Sequence, residues 1–279
     1  MQIEGKIARI TGAGSGIGRA LAIEAVRRGA RVVLNGRRPD ALEETASLLG
    51  PNAAYSVVPG DVTLPSTRCA LRDHLATFGR LNILVNNAGV LFAGAFADTA
   101  DRDIETLVMT NLVAPMALTR EMLPLLAAAA PARVVNIGSI FGDIGYPLFV
   151  AYSASKFGLR GFSMALRREL RSLGIGVTYA APRATRTDAA SAFTSLMAPM
   201  GMELDKVEAV ANDVWNAVAA NTDIAYPSGP ERFYVLLQGL FPAIIDRSLA
   251  AQLKHPTIRG LLARAMPWAN QLSNARVGR

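Results

Sequence analysis

The sequence predicts an α/β protein of three layers, in which a doubly wound parallel sheet lies between two layers of helices. Short apolar runs of strand length alternate with helical segments as far as Ala180. These runs are nearly continuous in apolar residues, which is typical of parallel strands covered on both faces. Because crossovers between such strands are right-handed, the sheet is doubly wound and its ligands are expected at the carboxyl ends of the strands.

The predicted elements follow one another in a regular order. The strands are Ile7–Ile10, Arg31–Asn35, Ala54–Val58, Leu81–Val85, Arg133–Ser139 and Gly176–Ala180. The helices are Gly18–Arg28, Asp40–Leu49, Leu64–Phe78, Asp103–Ala130 and Ala151–Leu173. Every polar motif considered below falls at the end of one of these strands or on the helix that follows it.

Length and composition fit one large domain. The chain has 279 residues, of which 51% are hydrophobic, enough to bury a full core. The single cysteine, Cys69, excludes a disulfide framework and is typical of a reducing, cytoplasmic compartment. With His74 and His255 as the only histidines, we expect no metal site of the ordinary zinc type. Lys6–Thr11 already has the pattern of the first strand, so no signal peptide is expected, and no apolar run reaches the ~18 residues of a membrane-spanning helix.

A glycine-rich loop joins the first strand to the first helix. Glycines let the backbone approach a pyrophosphate closely, and the positive end of a helix dipole favours the negative charge. The order of strand, glycine loop and helix therefore predicts a dinucleotide-phosphate site. Its members are Gly12, Gly14, Ser15, Gly16, Ile17 and Gly18.

The end of the second strand predicts which dinucleotide is bound. An acidic residue at this point would hold a ribose 2′-hydroxyl and repel a 2′-phosphate. The sequence has Gly36-Arg37-Arg38 instead. Because guanidinium groups are well shaped for phosphate, Arg37 and Arg38 favour NADP(H), with NAD(H) as the alternative cofactor.

Tyr152 and Lys156 lie four residues apart, so on a helix they share one face. A neighbouring ammonium group stabilises a phenolate and lowers the pKa of a tyrosine, which is ordinarily about 10. A tyrosine tuned in this way can exchange a proton near neutral pH. Ser139, thirteen residues before Tyr152 at the end of a predicted strand, is a candidate partner in the same site.

Three more motifs fall at strand ends or on the next helix. Gly60-Asp61-Val62 follows the third strand, and Asn86-Asn87-Ala88-Gly89 closes the fourth. Asn111 lies on the helix predicted over Asp103–Ala130.

Together these motifs resemble the classical branch of the short-chain dehydrogenase/reductases, and the resemblance runs from Thr11 to about Thr187. It implies a single-domain Rossmann fold that transfers a hydride between a nicotinamide and a carbonyl or alcohol carbon. It also implies a catalytic tetrad, in which Tyr152 is the general acid or base, Lys156 tunes it and holds the nicotinamide ribose, Ser139 bonds the carbonyl oxygen, and Asn111 holds a relay water. The cofactor contacts that it implies include Asp61, Val62, Asn87, Ala88, Gly89, Tyr152, Lys156, Pro182 and Thr187.

One position departs from the family pattern. Where the family usually has Pro-Gly after the sixth strand, this sequence has Pro182-Arg183, while Thr187 keeps the expected spacing. The Arg183 side chain has three possible placements: it crowds the cofactor, adds a charge beside a phosphate, or points to solvent.

The substrate side carries weaker signals. Phe141, Tyr146 and the methionine-rich run 193–202 either line the pocket or simply pack, and they favour a mainly apolar small-molecule substrate. Arg183 and Arg186 leave open an acidic group on that substrate.

A helical extension, residues 230–279, is expected to follow a domain of residues 1–229. Pro242 is expected to start its second helix. The extension holds seven Lys/Arg against two acids, a large share of the net charge of +7. Three surfaces could bury its apolar stripe: the substrate pocket of its own domain, a second subunit, or an acidic membrane. The stripe consists of positions 233, 236, 237, 240, 241, 244, 245, 249 and 253.

The resemblance further implies a homodimer or homotetramer built through the helices around 103–130 and 151–173. We find no nucleic-acid motif. The alternative function is a non-catalytic nucleotide-binding scaffold or sensor on the same fold, although such a protein would be expected to lose Tyr152 or Lys156. A sugar-nucleotide epimerase would favour a different glycine spacing and a larger substrate domain.

Overall fold

A computed structural model describes residues 1–187, 190 and 193–267, and its sheet has the predicted architecture. The sheet has the order β3-β2-β1-β4-β5-β6-β7, and every pair of neighbours is parallel. The chain builds β1, β2 and β3 outward in one direction and then returns to place β4 on the other side of β1, which confirms a doubly wound fold. The strands are β1 (Ile7–Thr11), β2 (Arg31–Asn35), β3 (Tyr55–Val57), β4 (Ile83–Asn86), β5 (Ala132–Ile137), β6 (Ile175–Ala180) and β7 (Ile224–Ala225).

Helices cover both faces of the sheet. Those that connect the strands are α1 (Gly16–Arg27), α2 (Pro39–Ser47), α3 (Pro65–Ala76), α4 (Asp101–Val108), α5 (Ala114–Ala128) and α6 (Val150–Leu170). After β6 come α7 (Thr194–Met197), α8 (Val207–Ala219), α9 (Glu231–Leu240), α10 (Pro242–Gln252) and α11 (Pro256–Ala265).

The core is divided between the two faces. On one face α1 packs on α8, and the fully buried Trp215 donates a hydrogen bond from Nε1 to the carbonyl of Leu21 at 2.9 Å. On the other face, Leu71 of α3 and Leu118 of α5 pack against β4 and β5. The strand ends are therefore held rigidly between two packed layers.

The long helix predicted over Asp103–Ala130 is interrupted. It begins at Asp101, and a π-helical turn, Met109–Val113, separates α4 from α5. π turns of this kind insert one residue into a helix and often occur at functional sites. Here the turn contains Asn111, which is buried.

The fifth strand is shorter than predicted. It ends at Ile137, and Ser139 instead caps a short 3₁₀ turn, its Oγ accepting a hydrogen bond from the backbone N–H of Phe141 at 3.1 Å. Three elements between β6 and the helical extension were not predicted: the short helix α7, the helix α8 and the two-residue strand β7.

The helical extension is present, and Pro242 begins α10 as predicted. Part of the positive charge of the extension lies outside the described residues, because Arg276 and Arg279 belong to residues 268–279. No single helix in the described ranges is long and apolar enough to cross a membrane; α9 and α10 together meet the criteria of length and composition but are bent by 117°.

Candidate active site

One cleft of about 910 Å³ lies at the carboxyl ends of the strands. It brings together every site residue proposed from the sequence except Asn111, from the loop at Gly12 to Tyr152 and Thr187. The cleft continues past Arg183 to α9 and α10, so the helical extension forms one of its walls.

The glycine loop allows close approach of the backbone. A Cβ at Gly18 would overlap the carbonyl oxygen of Gly12 and the side chain of Asn87. The loop leads directly into α1, whose first residue is Gly16. The N-terminal N–H groups of α1 are consequently presented beside a backbone cradle, which suits a phosphate anion.

The turn after β4 braces this loop. Thr11 Oγ1 accepts hydrogen bonds from the N–H groups of Asn87 (2.8 Å) and Ala88 (2.9 Å), and the Asn87 amide donates to the carbonyl of Thr11 at 2.9 Å. Thr11 thus has a positioning role that its place in the cofactor loop did not reveal, because its partners lie more than seventy residues away.

Arg37 and Arg38 line the cleft after β2 and are both exposed. The carboxylate of Glu44 on α2 is held by Arg19, at 2.7 Å, so it does not pair with these two arginines. Asn35 at the end of β2 donates to the carbonyls of Val58 (3.0 Å) and Gly60 (3.2 Å) and joins this turn to the Asp61 turn.

Asn111 lies behind the cleft rather than in it. Its amide oxygen accepts from the N–H of Val90 at 2.8 Å, and its amide nitrogen donates to the carbonyl of Val90 at 2.9 Å. The same nitrogen donates to Ser155 Oγ at 3.1 Å. The side chain therefore fixes the segment after Gly89 against α6, while the relay water remains a prediction.

Ser139, Tyr152 and Lys156 meet at the end of the cleft opposite Arg37. Lys156 is buried, its Nζ donates to the carbonyl of Ile137 at 2.9 Å, and Nζ lies 5.6 Å from the centre of the Tyr152 ring. Ser139 is near enough to Tyr152 for its side chain to influence the pKa of the phenol. The first two turns of α6 and the segment that follows β5 thus place a hydroxyl, a phenol and an amine together.

Burial controls the protonation of this group. It raises the pKa of Tyr152 to about 12, and the side chain of Ser139 opposes that shift. Burial also lowers the pKa of Lys156 to about 8. The expected lowering of the tyrosine pKa by Lys156 is therefore not what this structure gives, because desolvation of the buried phenol is the largest effect on its pKa.

The substrate end of the cleft is apolar. Phe141 stacks on Tyr146 with ring centres 4.6 Å apart, and Phe193 packs edge-on against Phe149. In the run 193–202, Phe193 and Met200 line the cleft and also belong, with Leu196, to a buried apolar cluster. The run therefore both lines the cleft and packs.

Arg183 forms ion pairs with two carboxylates. Its Nε lies 2.8 Å from Asp205 Oδ2 and its Nη1 lies 2.7 Å from Glu231 Oε1. Its side chain is 29% exposed, so it does not simply point to solvent. The guanidinium joins the segment after β6 to the first turn of α9, a role that the sequence did not predict.

The donor set fits a nicotinamide dinucleotide. The glycine cradle and the N-terminus of α1 suit the pyrophosphate, the turns after β2 and β3 suit the adenosine end, and the buried amine of Lys156 suits a ribose hydroxyl. The described residues contain no cluster of three or more His, Cys, Asp or Glu that could hold a metal ion.

Comparison with known proteins agrees with this site. The family profile described as short chain dehydrogenase matches residues 6–197. The 3-oxoacyl-(acyl-carrier-protein) reductase FabG of Escherichia coli is 33% identical over 237 residues, which cover 82% of this chain and 95% of that protein.

Two solved structures are similar over most of their length. A short-chain dehydrogenase/reductase from Burkholderia phymatum in complex with NAD has a TM-score of 0.79 and 26% identity, covering 88% of this chain and 96% of that one. A short-chain dehydrogenase from Sphingobium yanoikuyae in complex with NADPH has a TM-score of 0.75 and 28% identity, covering 86% and 95%. The chain belongs to the short-chain dehydrogenase/reductase family, and an NAD(P)-dependent oxidoreductase activity follows from that membership.

Proposed function

We propose that the protein is an NADP(H)-dependent reductase or dehydrogenase of a mainly apolar carbonyl or alcohol, with Tyr152 as the general acid or base. The observation that supports this most directly is the layout of the cleft at the carboxyl ends of the strands. Its cofactor end has Arg37 and Arg38 and no acid at the tip of β2, and its other end has Ser139, Tyr152 and Lys156 beside an aromatic wall.

The preference for NADP(H) rests on charge. Arg37 and Arg38 are exposed cations that line the cleft beside the N-terminus of α2, whose dipole adds further positive potential. A 2′-phosphate would meet two guanidinium groups there, each able to form charge-assisted hydrogen bonds. NAD(H) remains possible as a weaker cofactor, because the pyrophosphate cradle is common to both.

The reaction proposed for the site divides among three side chains. The chemistry that a bound nicotinamide supplies is hydride transfer to or from carbon. In reduction, Tyr152 Oη gives its proton to the oxygen of the substrate carbonyl, and Ser139 Oγ donates a hydrogen bond to the same oxygen. Lys156 places a positive charge beside the phenol and offers Nζ to the ribose.

The partners that we propose are an apolar small molecule, a second copy of this chain, and an acidic membrane surface. A homodimer is favoured by apolar side chains that are exposed in and around the π turn and on α6. These side chains are Met109, Val113, Met116, Val150 and Phe157. A homotetramer is the larger alternative. A cytoplasmic location fits the free, exposed Cys69.

The test is a panel of carbonyls and alcohols of increasing chain length, assayed with NADPH, NADH and their oxidised forms by absorbance at the reduced-nicotinamide band. We expect turnover with NADPH that improves as the apolar chain lengthens. Turnover that is equal with NADH, or confined to small polar carbonyls, would contradict the proposed cofactor or substrate class respectively.

A further inference from the structure

The outer side of α9 and α10 carries an unusual apolar surface, here called the apolar face. Its side chains are 46% to 62% exposed, and they are Phe233, Tyr234, Leu236, Leu240, Phe241 and Ile244. The inner side of the same helices is occupied, because Val235, Leu237 and Ile245 pack on the domain core. The two helices thus present apolar residues in both directions, and only one direction is covered.

The helices that carry the apolar face, and the helix α11 that follows them, also carry exposed cations. Arg232, Arg247, Lys254, Arg259 and Arg264 are exposed, and none of them forms an ion pair with another described residue. Of the two acids in the extension, Glu231 is neutralised by Arg183. The uncompensated charge is therefore positive, which complements an anionic surface.

The apolar face also borders the entrance of the cleft. Tyr234 and Ile244 are exposed and at the same time line the cleft. If another apolar surface covered this face, an apolar molecule could pass from that surface into the cleft without crossing water.

We propose that the apolar face lies on an anionic lipid bilayer, and that the substrate is a lipid-like carbonyl or alcohol which enters the cleft from that bilayer between Tyr234 and Ile244. The second part rests on the proposed function and names the substrate class for it. The helices lie on the bilayer rather than across it, because Leu237 and Ile245 on their inner side are packed in the core.

Charge argues against a second copy as the occupant. A two-fold contact places the same surface of both copies together, so the cations of the two extensions would face each other. An anionic bilayer instead pairs with those cations while burying the aromatic and aliphatic side chains.

The binding experiment is flotation of the full chain, saturated with NADPH, with vesicles of phosphatidylcholine alone or mixed with phosphatidylglycerol. We expect flotation with the mixed vesicles, weakened by salt. The variant Phe233→Ser/Leu236→Ser/Phe241→Ser should lose about tenfold or more in partitioning, since each change removes an apolar group from the interface. The matched control, Leu48→Ser/Leu64→Ser/Phe96→Ser, changes residues of similar exposure (51% to 56%) elsewhere on the surface and should float like the unmodified protein.

Three outcomes would overturn binding to the bilayer. The first is that the unmodified protein does not float with either vesicle, and the second is that the face variant floats unchanged. The third is a face variant with a smaller mass by light scattering in the absence of lipid, which would assign the face to a second subunit.

Substrate entry is tested by the rates on a long-chain ketone carried in vesicles and on a short, water-soluble ketone. The face variant should lose rate on the first and keep it on the second. Equal loss on both would overturn entry from the bilayer. If neither ketone is reduced, the proposed function fails, while flotation still decides the surface.

A different observation concerns Tyr179 on β6, which is 1% exposed and lies behind Ser139. Its Oη donates to the carbonyl of Ser139 at 3.0 Å and accepts from the N–H of the same residue at 3.3 Å. A Cβ at Gly138 would overlap the phenol ring, and a Cβ at Gly142 would overlap its hydroxyl. Two glycines therefore make room for one phenol that holds both backbone groups of Ser139.

We infer that Tyr179 is a positioning residue, which fixes the direction of the Ser139 hydroxyl toward the substrate oxygen. This rests on the role proposed for Ser139. The phenol can always donate, because burial raises its pKa far above the ordinary value. No contact with the cleft is needed, since Tyr179 acts through the backbone of Ser139.

The test is Tyr179→Phe, which keeps the ring and removes the hydroxyl. We expect kcat to fall about tenfold, in line with a misdirected oxyanion donor, with the Kd for NADPH unchanged. In the Ser139→Ala background the same change should cost nothing further. The control Thr178→Val removes a neighbouring buried hydroxyl, which donates to the carbonyl of Thr222 at 2.7 Å, and should lower Tm but not kcat.

An equal loss of kcat in both backgrounds, or a loss that Thr178→Val reproduces, would overturn the positioning role alone. A fully active Ser139→Ala would remove the role of Ser139 and the positioning role together.

Discussion

The most informative single perturbation is Arg183→Ala, because Arg183 joins three parts of the site. Its guanidinium bridges Asp205, before α8, and Glu231, on α9, at 2.8 and 2.7 Å. Both carboxylates are less exposed than the arginine, with 19% and 14% of their side-chain surface accessible. Removing the cation therefore leaves two partly buried anions without their partner.

The expected cost lies between two known limits. An exposed ion pair is worth about 0–1 kcal/mol, whereas breaking a buried pair by removing one partner costs about 3–5 kcal/mol. With the arginine 29% exposed, we expect about 2–3 kcal/mol for the two contacts together. In a protein of this size, each kcal/mol lowers Tm by about 2–4 °C, so Tm should fall by about 4–12 °C.

The assay is thermal unfolding of Arg183→Ala in the unmodified protein and in an Asp205→Asn/Glu231→Gln background. In that background the substitution should cost much less, because no charged partners remain. Since α9 forms a wall of the cleft, the KM for an apolar substrate should rise while NADPH binding changes little. An unchanged Tm, or an equal loss in both backgrounds, would show that the bridge does not stabilise α9.

Three further predictions concern the cofactor and the chemistry. Arg37→Ala should weaken NADPH binding by about tenfold or more, the value of a charge-assisted phosphate contact of roughly 1.5–3 kcal/mol, and should leave NADH binding unchanged in a fluorescence titration; Arg102→Ala, outside the cleft, is the control. Tyr152→Phe should nearly abolish turnover and spare NADPH binding, whereas Lys156→Ala should damage both; a Tyr152→Phe enzyme with most of its rate would show that the acid is another group. Because burial lowers the pKa of Lys156 to about 8, its charge is present below that pH and is lost above it, so kcat/KM for reduction should fall as pH rises through about 8, and a profile that is flat to pH 10 would contradict this.

The strand ends were predictable because their signals are local. Gly12 to Gly18, Gly60 to Val62 and Asn86 to Gly89 each stand directly after a run of apolar residues, and parallel strands bring such ends to one edge. The same logic predicted that Ser139 and Tyr152 would meet, although β5 ends two residues before Ser139.

What the sequence could not predict depends on distant partners. Arg183 pairs with residues 22 and 48 positions further along, and Tyr179 reaches back 40 positions to Ser139. The strand β7 is two residues long, and only its pairing with β6 defines it. Sequence periodicity does not predict such contacts, because they arise when segments that are far apart in the chain pack together.

The protonation of Tyr152 is the point at which local reasoning and structure differ most, and the difference has a mechanistic consequence. From spacing alone, the ammonium of Lys156 should lower the tyrosine pKa. The structure places the phenol and the amine in a desolvated corner, which raises the pKa of Tyr152 to about 12 and lowers that of Lys156 to about 8. Both shifts favour the neutral forms, but at pH 7 the phenol holds its proton firmly and the amine is still mostly protonated.

A protonated phenol is ready to act as an acid, whereas action as a base requires a phenolate that this corner disfavours. Reduction of a carbonyl therefore needs no prior ionisation of Tyr152, while oxidation of an alcohol does. It follows that the oxidative rate should rise with pH over a range in which the reductive rate falls, and that the two profiles should cross. Parallel profiles in the two directions would mean that a group other than Tyr152 carries the proton.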